Sequence, residues 1–538
     1  MPIFATVKSS VLHLFFLLTI LVSAQAQQLY LPLNHQLYYR NEEHLHLIND
    51  SAKNFFSAIK PYRIAEMNQA MDSDYFLRRR FRISKFGKTF VGRKLLHKHL
   101  LQLDSTNFSI AVSPLLNLQY GRDLASSPST TYTVNTRGVL VQGTIGKKLA
   151  FFASYLETQS QLFSYLADYV NNYQVVPNFG RYKPFKTNGY DYGMASGYIS
   201  WTPIKRLNVQ FGNDKNFLGD GYRSFFLSDH SFNYPFLKFT ANIWRFKYYV
   251  LMAQLQDGIT QADPQQPFQK KFLSIHYLGF NLGKRIQLGI FEGTIWEGKS
   301  LAKTSFNFLN PILFSSWAQN GLAGKNNTNL GLNLKFKLFK HTHLYGQGLL
   351  DDIGGSTRSD TLPSSPKFAF QMGVKSYNLF YLKNLYWQLE FNQCAPYTYS
   401  SNRTANVWSH YNQNLTHPVG ANFREVLSFL SYRYGRIWLE AKGAYCQYGR
   451  DSSNTLSFGR NIFKGDQGAR VGQTLLQGQS ASLAYADFKL GFIINPAYNL
   501  CIQAGMTNRW EWYGNTRNKI QYVYLGVQTS LYNLYHDF

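Results

Sequence analysis

LGLNLKFKL, Leu330 to Leu338, decides how the rest of this chain is read. Leu330, Leu332, Leu334, Phe336 and Leu338 take one parity, while Gly331, Asn333, Lys335 and Lys337 take the other. Successive side chains of an extended strand point to opposite faces, so this stretch is a strand with one apolar and one polar face. The pattern recurs along the chain. Leu207, Val209 and Phe211 oppose Asn208, Gln210 and Gly212, and Leu237, Phe239, Ala241 and Ile243 oppose Lys238, Thr240 and Asn242. Leu385, Trp387, Leu389 and Phe391 oppose Gln388, Glu390 and Asn392, and Leu500, Ile502, Ala504 and Met506 oppose Cys501, Gln503, Gly505 and Thr507. Phe272–Leu282 and Tyr132–Ile145 do not hold one parity, which suggests a bulge.

Alternation alone fits a soluble β-sandwich or a transmembrane barrel; the connections separate them. Tight turns near Gly146-Lys147, Pro203-Ile204-Lys205, Trp244-Arg245, Gly283-Lys284, Lys340-His341, Gly435 and Asn495-Pro496-Ala497 alternate with long connections at 159–191, 215–235, 258–270, 297–327, 353–366, 396–421 and 449–478. An outer-membrane barrel has tight periplasmic turns and long external loops; a sandwich has no reason to alternate them. The segments match the roughly 9–11 residues that cross a bilayer at a tilt. Trp244, Trp296, Trp438, Trp510 and Trp512 sit at segment ends, as interface girdles do. The stretch Gln521 to Phe538 reads as a closing strand that ends on an aromatic. The expected fold is all-β: a transmembrane antiparallel β-barrel of roughly 18 strands over residues 107–538. A small, partly helical periplasmic or plug element is expected over 27–106.

Composition agrees. Among 538 residues, Lys and Arg outnumber Asp and Glu by 55 to 29, and aromatics reach 17%. A net charge of +26 suggests a polyanionic neighbour. Lys8, the apolar run VLHLFFLLTILV (Val11 to Val22) and Ser23-Ala24-Gln25-Ala26 form a secretory signal peptide over 1–26, with cleavage near Ala26. Export argues against nucleic acid as the polyanion. Three cysteines, Cys394, Cys446 and Cys501, make no disulfide scaffold, and neither C-x-x-C nor H-E-x-x-H occurs, so no metal or cofactor is expected. A helix is expected around Ser51–Ile59, ending at Pro61. The basic stretch from Arg78-Arg79-Arg80 to Lys98 reads as a solvated face or as a contact with anionic headgroups.

With the apolar parity facing lipid, the lumen receives Lys238, Arg285, Lys335, Lys337, Lys442, Lys489 and Arg509, with Glu390, Glu440 and Asp487 as its acids. That balance favours anions. Alternating charges also brace a barrel wall without further function. No catalytic residue is expected. There is no G-x-S-x-G elbow. Asp214, Asp220, Asp229, Glu292 and Glu297 are carboxylates of the kind that run glycoside hydrolysis, but acids in loops are common and spacing alone does not show that two converge.

One stretch is unlike a plain strand: FGNDKNFLGDGYRSFFLSDHSF, Phe211 to Phe232. It lacks a complete phosphate-loop or dinucleotide pattern. Gly212-Asn213-Asp214-Lys215-Asn216, Gly219-Asp220-Gly221-Tyr222-Arg223-Ser224 and Leu227-Ser228-Asp229, with Tyr234-Pro235-Phe236-Leu237 after them, resemble the signature region of the Wzi-type capsule assembly outer-membrane proteins. The resemblance is nearest to the Bacteroidota branch that includes the RemB gliding-motility barrels. It implies a monomeric, non-enzymatic outer-membrane barrel that anchors capsular polysaccharide, or one that serves gliding and surface adhesion. Expected partners are surface polysaccharide and outer-membrane lipid and lipopolysaccharide, with no nucleic acid. Candidate residues for glycan binding or for constricting the mouth are Asp214, Lys215, Asp220, Tyr222, Arg223, Asp229 and Trp296. Lys215 and Arg223 would donate to anionic sugar groups, with Tyr222 and Trp296 as stacking platforms. Arg223 could instead pair with Asp220 or Asp229. Glycines 219 and 221 are expected to serve tight backbone turns. The alternatives are a diffusion porin, a secretion or motility accessory barrel, and a glycan-active enzyme.

Overall fold

A computed structural model describes residues 28–47, 55–71, 86–126, 129–257, 269–298, 306–320, 326–351, 366–451, 456–465 and 473–538. The expected signal peptide and Arg78-Arg79-Arg80 lie outside them. Eighteen antiparallel strands close into a barrel, from Phe108–Asp123 to Thr516–Thr529. The last strand pairs with the first, Tyr522 opposite Asp123 through Gln528 opposite Asn117. Closure removes the unpaired edges that an open sheet would leave. Short strands at Leu101–Asp104 and Lys183–Phe185 add to the wall. No described helix is long and apolar enough to cross a membrane.

The alternation reads out as expected. Phe211 and Leu332 are each 65% exposed on the outer face, while Gln210 and Asn333 are buried on the inner one. Phe272–Leu282 lost its parity for a different reason than the bulge expected. Its strand, Gln269–Leu282, keeps unbroken register with both neighbours. Both of its faces are covered. Leu273, Ile275 and Tyr277 meet an apolar core inside, and Phe272 lies outside under Phe308 of the 306–320 segment, ring centroids 5.4 Å apart. A strand buried on both faces has no reason to alternate. Tyr132–Ile145 likewise pairs without a register shift.

Three further expectations change. The closing strand ends at Thr529 and not at Phe538. Residues 530–538 turn into the lumen, where the Tyr535 amide donates to Asn178 Oδ1. The short strand Leu101–Asp104 pairs with Ser109–Val112, beside the part of the first strand that the last strand leaves uncovered. The helix expected at Ser51–Ile59 is absent from its described part. Ile59–Lys60 is a short strand paired with Phe217–Leu218, because tertiary pairing outweighs local propensity. Helices occur instead at His35–Leu47 and Ile64–Met71. Among the tryptophans expected in girdles, Trp244 is exposed on the rim, but Trp438 and Trp296 are buried.

The lumen is filled. His35–Leu47 and residues 55–67 enter from the short-turn end, and 215–233 and 395–422 fold in from the long-loop end. Residues 530–538 lie between them. Phe225, Phe226 and Leu227 of the first loop pack with Val407, Trp408 and Leu415 of the second, and with Leu273, Phe291 and Ile295 of the wall, as one apolar core.

Candidate functional site

The site is built around the loop that follows strand Leu207–Asp214. Lys215 starts it, 2% exposed, and its Nζ donates to the carbonyls of Asn178 (3.0 Å) and Asp229 (3.1 Å). Burial pulls Lys215 down to about 8, against the charges of Asp229 and Asp214. Asp214 accepts the Lys215 amide at 2.9 Å. Phe217–Leu218 then pairs with Ile59–Lys60, so the N-terminal segment and the loop share one small sheet inside the barrel.

Gly219 and Gly221 flank Asp220. At Gly219, φ is +153° and a Cβ would stand 2.7 Å from Gln347 Nε2. At Gly221 a Cβ would stand 2.5 Å from both Gln371 Oε1 and Glu390 Oε2. Close approach to the wall, not a tight turn, therefore explains Gly221. Asp220 accepts from Ser57 Oγ (2.5 Å) and Asn333 Nδ2 (3.0 Å), with Lys335 Nζ 3.8 Å away. One carboxylate thus ties the N-terminal segment, the loop and the wall.

Tyr222 and Arg223 are the centre. Their amides donate to Glu390 at 2.7 and 3.2 Å. Arg223 is 1% exposed and pairs with Glu425 (3.0 Å) and Asp537 (3.1 Å), not with Asp220 or Asp229 as expected. Asp537 also takes Lys442 Nζ (2.9 Å) and the Tyr222 hydroxyl (2.9 Å). Burial works to raise the Asp537 carboxyl, but Arg223 and Lys442 outweigh it and hold the group well below the usual carboxylate range. His417 of the second loop meets Glu425 at 2.8 Å; burial nevertheless lowers the histidine below its ordinary value. Asp229 accepts from Tyr535 (2.6 Å) and Asn533 (2.8 Å), and burial raises it. A buried charge stays only when paired and hydrogen-bonded, and here three distant parts of the chain supply the partners.

The N-terminal segment is held alike. Glu42 accepts from Lys375 (3.0 Å), Tyr377 (2.8 Å) and Tyr62 (2.7 Å). Burial opposes its ionisation, but Lys375 and Lys60 hold it well below the usual range. Glu66 bridges Lys247 (2.6 Å) and Arg63 (3.0 Å), which overcome burial and lower it to about 2.

The other expected lumen residues divide. Lys238 donates to Asn216 (3.1 Å), Lys335 to Ser57 (2.5 Å), and Arg509 to the Phe538 carbonyl (3.2 Å). Lys489 pairs with Asp487 at 2.8 Å and is partly exposed, and Lys337 is half-buried. Arg285 is a correction: it is exposed in a tight turn at the short-turn rim. Trp296 is another. It faces outward, donates to Ser274 Oγ at 2.7 Å and packs with Phe308, because its parity is that of the outer face. Glu292 is also on that face, accepting the amides of Phe314 (2.5 Å) and Trp317 (2.7 Å). The carboxylates weighed for glycoside hydrolysis are therefore spread over both sides of the wall. Glu42, Glu425 and Asp537 were not legible in the sequence, since each lies far along the chain from its cation, and Glu66 was missed because Lys247 is equally remote although Arg63 is only three residues away. No cluster of metal-ligating side chains occurs among the described residues.

No family model matches this chain, and no curated protein matches it. Among solved structures it is similar to Wzi of Escherichia coli, an outer membrane protein involved in group 1 capsule assembly and described as a carbohydrate binding β-barrel. Identity is 11%, coverage is 94% of this chain and 100% of that one, and the TM-score is 0.56. It is also similar to OccAB2 of Acinetobacter baumannii (10% identity, 78% and 97% coverage, TM-score 0.42) and to OccK2 of Pseudomonas aeruginosa in complex with glucuronate (9%, 78% and 98%, 0.41). The likeness to Wzi is one of fold: an outer-membrane β-barrel.

Proposed function

We propose that this protein is a closed outer-membrane barrel that anchors or organises acidic surface polysaccharide on its external loops. It acts as a monomer and catalyses no reaction. The observation that carries this reading is the filled lumen. Buried ion pairs hold two loops and both terminal segments inside the wall, so the barrel offers surfaces rather than a conduit. That argues against the diffusion porin. A closed barrel also has no free strand edge through which to add copies of itself. The net charge of +26 suits an anionic glycan. Exposed cations at the long-loop rim include Lys183, Lys186, Lys270, Arg517 and Lys519. The fold shared with a carbohydrate binding barrel supports the same direction.

In this reading Lys215, Asp220, Tyr222, Arg223 and Asp229 constrict the mouth and seat the loop, and glycan contacts fall to exposed residues above them. The test is a deletion strain scored for retained surface polysaccharide and, side by side, for surface spreading. Loss of glycan, restored by the wild-type chain, is expected. Unchanged glycan retention refutes the reading, and loss of spreading alone assigns the barrel to gliding and adhesion.

A further inference from the structure

The short-turn rim carries a pattern that the proposed glycan role does not use. Eight tight turns join barrel strands at this end. Among these described turns, seven carry a lysine or arginine and none carries an aspartate or glutamate. Lys147, Lys205, Arg245, Lys284, Lys340 and Lys383 are all exposed. An exposed acid at this rim, Asp104, accepts from its neighbour Gln102.

Four of these cations, Lys205, Arg245, Lys340 and Lys383, directly follow an exposed apolar or aromatic side chain. Trp244 is 66% exposed and lies under the Arg245 guanidinium, 5.1 Å from it. Phe339 precedes Lys340, Tyr381 and Leu382 precede Lys383, and Ile204 precedes Lys205; all of these anchors are exposed. The turn at 496–499 lacks a cation, and there the helix Phe90–Leu96 fills the gap. Asn495 Nδ2 donates to the carbonyls of Lys94 (3.0 Å) and Lys98 (2.8 Å), which fixes the helix against that turn. The helix exposes Phe90, Val91 and Leu95 together with Arg93, and Lys98 follows. Exposed apolar and aromatic side chains interleaved with cations match the composition of a membrane interface.

We propose that this rim is a cationic collar for the anionic headgroups of the phospholipid leaflet that faces the short turns, chiefly phosphatidylglycerol-type lipid. The interleaved anchors favour lipid over a soluble polyanion, which would need the cations alone. The collar holds the barrel at a fixed depth and surrounds the end through which residues 28–47 and 55–67 enter.

The test uses the full mature chain in neutral detergent. Native mass spectrometry measures retention of phosphatidylglycerol against phosphatidylethanolamine. One variant carries Lys147→Gln, Lys205→Gln, Arg245→Gln, Lys340→Gln and Lys383→Gln. A control removes the same charge at the opposite rim: Lys183→Gln, Lys186→Gln, Lys270→Gln, Arg517→Gln and Lys519→Gln. Wild type and control are expected to retain phosphatidylglycerol selectively, and the turn-rim variant to lose about tenfold of that selectivity. High salt should weaken wild-type retention without any substitution. Equal retention by the turn-rim variant, equal loss in the control, or salt-insensitive retention overturns the proposal. Capture of soluble polygalacturonate with no phosphatidylglycerol preference assigns the collar to a periplasmic polyanion and also overturns it.

Discussion

Asp537→Asn isolates the contact on which the closed lumen depends. The carboxylate meets Arg223, Lys442 and the Tyr222 hydroxyl at 3.1, 2.9 and 2.9 Å. Its side chain is 0% exposed, that of Arg223 is 1% and that of Lys442 is 8%. Removing one partner of a buried pair costs about 3–5 kcal/mol, because the remaining charge is left uncompensated. Arg223 keeps Glu425 at 3.0 Å, and Lys442 keeps the Tyr485 ring at 4.7 Å, which places the expected loss near the bottom of that range. Urea unfolding in lipid vesicles, followed by tryptophan fluorescence, reads the loss. Planar-bilayer conductance reads whether residues 530–538 leave the lumen; new conductance is expected. Lys442→Met in the same chain should recover part of the loss, with a coupling of about 1 kcal/mol or more. An Asp537→Asn change below about 0.5 kcal/mol, zero coupling and no conductance would refute an internal latch.

Three other outcomes follow from the same contacts. Gly221→Ala places a methyl group 2.5 Å from Gln371 and Glu390 and should cost about 1–3 kcal/mol by unseating the loop, read by the same unfolding assay. Glu292→Ala leaves the Phe314 and Trp317 amides without their acceptor and should loosen 306–320 on the outer wall by about 1–3 kcal/mol, seen as faster proteolysis within that segment. Asp537, Glu42 and Glu66 all have folded pKa values below their ordinary ones, so their stabilisation is full above about pH 4.5 and is lost as pH falls through the folded values. Protease access to residues 28–47 and 55–67 should therefore rise between about pH 4 and pH 2. Lys60 runs the other way: burial lowers it to about 8, so its cost is relieved as pH rises above that value.

Much of the barrel was legible in residue order. Leu330 to Leu338 gave the period, and the alternation of short and long connections gave the membrane. Lys238, Lys335 and Lys442 fell on the inner face because parity is a local property of an extended backbone. The candidate loop was legible as unusual, but not as buried. Local pattern cannot separate a lysine facing water in a channel from one facing a buried carboxylate, since both occupy the polar parity. Trp296 and Glu292 were misleading in the opposite sense. Their outward parity was available, but the 306–320 segment that covers them was not.

What the sequence by itself determined is therefore the wall: strand count, parity, and the end at which the long loops lie. These follow from interactions between residues close in the chain and from the fixed thickness of a bilayer. What only the tertiary structure decided is the content of the wall. Arg223 finds Glu425 and Asp537 at separations of 202 and 314 residues, and Glu42 finds Lys375 across 333. Desolvation makes each of these charges costly alone and tolerable only together, so their partners are selected by the closed barrel and not by their neighbours in sequence.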